Sequence, residues 1–127
     1  AVNCIVAQRL ARKICADCVA DDPEVSRDDL ISAGLSEDEL QGFQPQKGMG
    51  CAQCSDTGFK GRMAVYEVMV MTDELKEFVL NGASSAEIKR EAIRGGMVTL
   101  RRSALDKLLE GVTTLSEVFR VSAADTF

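Results

Sequence analysis

Four of the five cysteines in this 127-residue chain form two CxxC pairs, Cys15-Ala-Asp-Cys18 and Cys51-Ala-Gln-Cys54, with 32 residues between them. A CxxC turn puts two sulfurs on one side of a tight loop, and two such turns supply a tetrahedral S4 site. Any fold of this chain must therefore bring two remote loops together. Zinc, redox-inert and well matched to thiolate, is the default occupant; iron in a rubredoxin-like arrangement is the alternative. Disulfides suit secreted chains, and no secretory pattern opens this sequence. A thioredoxin-like redox site needs a strand–CxxC–helix setting that surrounds neither pair. Four sulfurs leave no open coordination position, so the expected metal is structural. Zinc binding contributes about 10–16 kcal/mol in small sites, comparable with a whole domain's stability of about 5–15 kcal/mol. The segment that the metal closes is accordingly expected to unfold without it. Cys4 has no partner at ligand spacing and is expected to be a small buried core residue.

Charge is distributed unevenly. Residues 15–57 hold ten acids and two bases, a net of −8, whereas the remainder carries ten acids and thirteen bases. With four thiolates and one Zn2+ the segment reaches −10. Such a step marks a distinct acidic lobe, ill matched to phosphate backbones or anionic lipid and well matched to basic surfaces. The chain contains no histidine, which excludes His-based triads, His-ligated hydrolase sites and Cys/His nucleophile pairs within it. Its 46% hydrophobic and 28% charged residues are those of a globular domain, and no run approaches the length of a membrane span.

Along the chain, Val2, Val6, Leu10 and Ile14 recur every fourth residue, which predicts a helix over 1–14. Two short helices are expected in the acidic lobe. One opens near Ser26 and closes at Gly34; the other starts at the capping box Ser36-x-x-Glu39. After Cys54, SDTGFKG is turn-rich, and Arg62–Met71 (RMAVYEVMVM) predicts a strand apolar on both faces except at Glu67. A lone strand needs a neighbour, so this one is expected to join the sheet of a missing domain. Four helices follow, opened by Thr72, Ser84, Thr99 and the box Thr114-x-x-Glu117, and stopped by Gly82, Gly95-Gly96, Gly111 and the tail. Their apolar stripes predict one small bundle. Glu67 is expected to pair with Arg62. There is no GxxxxGK[ST] loop and no GxGxxG, and the 5% aromatic content lacks tryptophan, so a base-stacking surface is not expected.

The strings AQRLARKICADC, GCAQCSDTGFKGR, AVYEVM and TLRRSALDKLLEGVTTLSEVFRV together resemble the C-terminal region of the secretion ATPase superfamily. The likeness is greatest to the type IV pilus extension ATPases (PilB); the type II secretion ATPases (GspE) are similar but a step further. The resemblance implies a longer parent, a hexameric motor that uses ATP and Mg2+ in a RecA-like α/β domain at the cytoplasmic face of the bacterial inner membrane. There it would drive a polytopic platform protein that inserts pilins into the fibre. Cys15, Cys18, Cys51 and Cys54 match the family's zinc ligands. Residues 1–14 and the strand within 58–71 would belong to the RecA-like core, 15–57 would be the zinc lobe, and 72–127 the C-terminal helical extension. The expected fold is mainly α with a short β component. The nucleotide-binding motifs of such a parent would precede residue 1, so no catalytic residue is assigned and this chain alone is not expected to hydrolyse ATP. Arg9 and Arg62 lie in family-like strings and could approach nucleotide in a hexamer, although ion pairing is the first reading for both. A nucleic-acid-binding zinc ribbon is the alternative function, which the acidic charge disfavours. A chaperone-type zinc module would need four CxxC repeats.

Overall fold

A computed structural model describes residues 4–122 of the chain. Among these are six helices and two two-stranded antiparallel sheets. The first structural surprise is at the start. Residues expected to be helical form a strand, β1 (Cys4–Ile14), paired with β4 (Phe59–Val70) in a long ribbon. A period of four is also a multiple of two, so the pattern that reads as one helix face equally marks one face of a strand. Long-range pairing with an apolar, β-branched partner then overrides the helix propensity of Ala, Arg, Leu and Lys. Val2, the first residue of that pattern, lies outside the described residues.

This pairing also supplies the neighbour that the strand after Cys54 requires. β4 is not an orphan: its partner is β1, with Val6 opposite Val68, Arg9 opposite Val65 and Ala11 opposite Met63. Register shifts between Arg12 and Ile14, where Gly61, in the left-handed region at φ +84°, adds the extra residue of a bulge. Val65 and Ala11 are buried on one face of the ribbon. On the other face Val6, Leu10, Tyr66, Val68 and Val70 are all substantially exposed. Cys4 shares that face, opposite Val70, and is exposed rather than buried in a core.

β2 (Val19–Asp21) and β3 (Gln46–Gly48) form a short antiparallel stalk. Between them the chain runs out through α1 (Arg27–Ala33) and α2 (Glu37–Leu40), each opened by a capping box at the expected serine, Ser26 and Ser36. After β4 come α3 (Asp73–Leu80), α4 (Ser85–Arg94), α5 (Leu100–Leu109) and α6 (Leu115–Val121), each with its expected Ser or Thr cap. They do not make one bundle. α3 and α4 pack on each other, burying Leu75 and Ala92, while α5 and α6 lie against the ribbon.

One hydrophobic core dominates, drawing Leu30, Ala33, Leu35 and Leu40 from the acidic arm. Ala104, Leu105, Leu108, Leu115, Val118 and Val121 come from α5 and α6, and Ala11 and Val65 from the ribbon. The charge step in the sequence is therefore not a packing boundary. Two arginines of α5 reinforce the join. Arg101, almost wholly buried, donates to Ala33 O (3.1 Å) and to Ser122 O and Oγ (3.1 and 2.8 Å). Carbonyls at the ends of α1 and α6 thus receive its charge where the helix dipoles are negative. Arg102 pairs with Glu39 of α2 and with Asp106.

The Arg102 hydrogen bonds, with help from the Ser36 N–H, hold the Glu39 carboxyl down to about 2 from its ordinary 4.5. A depressed carboxyl stabilises the folded state above its unfolded value and loses that contribution as pH falls from about 4.5 toward about 2. Glu39→Gln keeps the capping hydrogen bond but removes the charge. At neutral pH the substitution is expected to cost about 1 kcal/mol, given the partial exposure of the pair. Urea midpoints of wild type and variant should converge as pH drops through that window. A gap undiminished at pH 2 would show that the ion pair is not its source.

Candidate metal centre

The first cysteine pair follows β1 directly. Ile14 N–H is held by Val112 O (2.8 Å), and Cys15 N–H donates to Gly58 O (2.9 Å). The second pair lies on a short 3-10 turn, Ala52–Cys54, after which Ser55 and Asp56 adopt left-handed backbone and the chain reverses into β4. The two ends of this second loop cross at Gly48 and Gly58, backbone against backbone. A Cβ on Gly58 would stand 2.5 Å from Gly48 O, and one on Gly48 would overlap the Gly58 carbonyl more deeply. Gly58 also sits at φ +81°, a conformation that costs an L-residue about 1–2 kcal/mol. The sequence reading missed this crossing. Its only local sign was a glycine on either side of the second CxxC.

Pairing of Val19 with Gly48 and the Cys15 N–H bond to Gly58 O then carry the first cysteine pair to this loop, and all four expected ligands come together. The Sγ atoms of Cys15, Cys18, Cys51 and Cys54 lie within 4.8 Å of one another. Cys15–Cys51 and Cys51–Cys54 are 3.7 Å apart and Cys18–Cys54 3.8 Å. Four sulfurs bonded to one zinc at about 2.3 Å in a tetrahedron stand about 3.8 Å from each other, so the donor set fits such an ion. The distances also exceed the S–S bond length of about 2.05 Å; all four are free thiols. Cys15 and Cys54 are buried, whereas Cys18 and Cys51 are half-buried.

Backbone N–H groups point at the sulfurs. Gly50 donates to Cys18 Sγ (3.3 Å), and Cys51 and Gly58 donate to Cys54 Sγ (3.3 and 3.2 Å). Burial pushes the Cys54 thiol up, but those two N–H groups and the Cys51 and Cys18 thiols outweigh it and bring Cys54 down to about 6. Burial dominates at Cys18, opposed by Gly50 N–H and aided by the neighbouring thiols, and carries it up to about 12. The backbone N–H groups thus favour thiolate at Cys54, while metal loading must displace the proton from Cys18.

The other residues singled out in the sequence stand away from these sulfurs. Glu67 does not pair with Arg62, because residues five apart on a strand point to opposite faces. Its carboxylate instead accepts the N–H of Leu100 (2.9 Å), at the positive end of α5, and stands 3.5 Å from Lys89 Nζ. Arg9 and Arg62 are exposed and form no ion pair among the described residues; Arg62 lies opposite Arg12. Glu117 does only half of what its capping position suggests. Its N–H bonds to Thr114 Oγ1, but its carboxylate turns inward, fully buried, to Arg12 and Arg120. Nothing local in the sequence marks that partnership with Arg12, 105 residues away.

A family model described as "Type II/IV secretion system protein" matches residues 1–120. The chain belongs to this family. Among its relatives is the "Type IV pilus assembly ATPase PilB" of Myxococcus xanthus, 48% identical over 126 residues, which are 99% of this chain and 22% of that protein. The protein of the same name from Thermus thermophilus is 47% identical, over 90% of this chain and 13% of its own length. The "Type II secretion system protein E" of Aeromonas hydrophila is 34% identical, over 95% of the chain and 23% of its own length. The chain therefore spans less than a quarter of the length of each of these relatives. No helix among the described residues is long and apolar enough to cross a membrane.

Proposed function

We propose that this chain is the zinc-stapled C-terminal part of a hexameric ATPase that powers type IV pilus assembly. The observation that carries the metal assignment is the near-tetrahedral spacing of the four sulfurs. When bound, zinc supplies four strong bonds between two loops and no reactive position. Cys15 and Cys54 hold the buried side of the site and Cys18 and Cys51 the outer side. The N–H groups of Gly50, Cys51 and Gly58 offset the negative charge that accumulates on sulfur. The greater identity to pilus assembly ATPases than to the type II secretion relative favours the pilus reading. ATP and Mg2+ would be handled by a RecA-like part of the parent. The exposed apolar face of the β1–β4 ribbon is consistent with seating against such a part.

In this reading the acidic arm serves contact rather than catalysis. Asp21, Glu24, Asp28, Asp29, Glu37 and Asp38 are all exposed, and the arm that bears them is held rigidly through the shared core and Arg101. A rigid negative projection suits the basic cytoplasmic loops of an inner-membrane platform protein. Binding of the chain to peptides from such loops is expected to weaken steeply with salt. It should fall further when Asp21, Asp22, Asp28 and Asp29 are changed to Asn. Binding insensitive to both would remove the electrostatic docking. Retention on heparin or DNA at low salt would instead favour a nucleic-acid-binding module.

A further inference from the structure

The two buried ligands, Cys15 and Cys54, are held by the end of the β1–β4 ribbon, and that end is clamped by a carboxylate far away in sequence. Glu117 is 1% exposed. One of its oxygens accepts the Arg12 backbone N–H (2.8 Å), and the other accepts Arg12 Nη2 (3.0 Å). Arg120 donates to both, from Nε and Nη2, at 2.8 Å. The Arg12 guanidinium lies over the Phe59 ring, 4.2 Å from its centroid. Phe59 directly follows Gly58, whose N–H reaches Cys54 Sγ and whose carbonyl accepts Cys15 N–H. On the other strand, Arg12 O accepts the Thr113 hydroxyl (2.9 Å) and Ile14 N–H donates to Val112 O (2.8 Å), one residue before Cys15.

We infer that Glu117 is a positioning residue for the metal centre: through Arg12 and Phe59 it fixes the strand ends that present Cys15 and Cys54. The outer ligands lack such an anchor. Cys18 and Cys51 sit on loops tied chiefly to one another, as by Met49 N–H to Cys18 O (3.0 Å). Zinc affinity is therefore set in part by the docking of α6 on β1, and by reciprocity zinc strengthens that docking. The inference rests on the metal assignment above, and its test separates the two.

The test is zinc affinity, measured by competition with a chromophoric chelator on folded, fully reduced protein. The variants are Glu117→Gln, Arg12→Gln and, as a control, Leu75→Ala in α3. Arg12, half exposed, can be altered even if the Glu117 variant fails to fold. Both clamp variants are expected to bind zinc about tenfold more weakly than wild type, the lower end for outer residues that orient metal ligands. They should also alter the visible spectrum of the Co2+-loaded site. Leu75→Ala destabilises the chain without touching the clamp and should leave both readings unchanged. Equal affinities and spectra across wild type and the clamp variants would overturn the positioning role alone. An equal loss in Leu75→Ala would overturn it too, by reducing the effect to general stability. Wild type that holds no metal would overturn the metal assignment and this role with it.

Discussion

Stripping the metal under reducing conditions is expected to release the two cysteine loops and leave the helical core standing. Beyond the clamped end of the ribbon there is little else to hold the chain around the sulfurs. The β2–β3 stalk is three residues long on each side, and Gly48, Gly50 and Gly58 bury no side chain. The α1–α2 arm is different, since Leu30, Ala33, Leu35 and Leu40 pack with α5 and α6 in the main core. Arg101 and Arg102 tie the same arm to α5 independently of any metal. Sequence alone led to the expectation that all of 15–57 would unfold without zinc. The shared core confines the expected loss to roughly 15–22 and 46–58. Hydrogen exchange with and without chelator reads this directly. Amides of Cys15, Cys18, Gly50, Cys51 and Gly58 should lose protection, while those of α1 and α5 keep theirs. Cys15→Ser should behave like the chelated protein. Unchanged loop protection after verified metal removal would refute a structural role for the ion, and uniform loss across the core would refute the confinement.

Gly48→Ala should be nearly as damaging to the site as loss of a ligand. Its Cβ would overlap the Gly58 carbonyl, which is backbone and cannot swing aside. The two ends of the second cysteine loop must then separate, the Gly48 end with Cys18, whose neighbour Val19 pairs with Gly48, and the Gly58 end with Cys15 and Cys54. Gly48 does not need the left-handed region, so this substitution isolates the close approach. Gly58→Ala adds a backbone penalty of about 1–2 kcal/mol and disturbs a residue that serves Cys15 and Cys54 at once. Both variants are expected to emerge from gel filtration with less than one metal per chain, Gly58→Ala with the least, while helical circular dichroism persists. Full metal occupancy in Gly48→Ala would mean that the backbone crossing can open without cost to the site.

The local features of this protein were legible in its sequence. Each helix begins at the Ser or Thr that can accept a hydrogen bond from a free N–H of the first turn. Those caps, from Ser26 to Thr114, depend on neighbours three residues away. The four-sulfur cluster was equally legible, because two CxxC pairs, each with its cysteines three positions apart, point to one shared site. Partners across the chain were not. Val6 and Leu10, read as the buried stripe of a helix, are exposed on a strand, because a four-residue repeat fits either structure and only pairing with β4 decides. Cys4 followed them to the surface. Glu67 and Glu117 found Leu100 N–H and Arg12 through packing that no local pattern encodes. The acidic segment, set apart by charge, shares its core with the basic helices. Local hydrogen bonding and ligand chemistry are written in adjacent residues and so belong to the sequence. The choice of strand over helix, and of one core over two, rests on contacts about fifty to a hundred residues apart, and only the tertiary structure could make it.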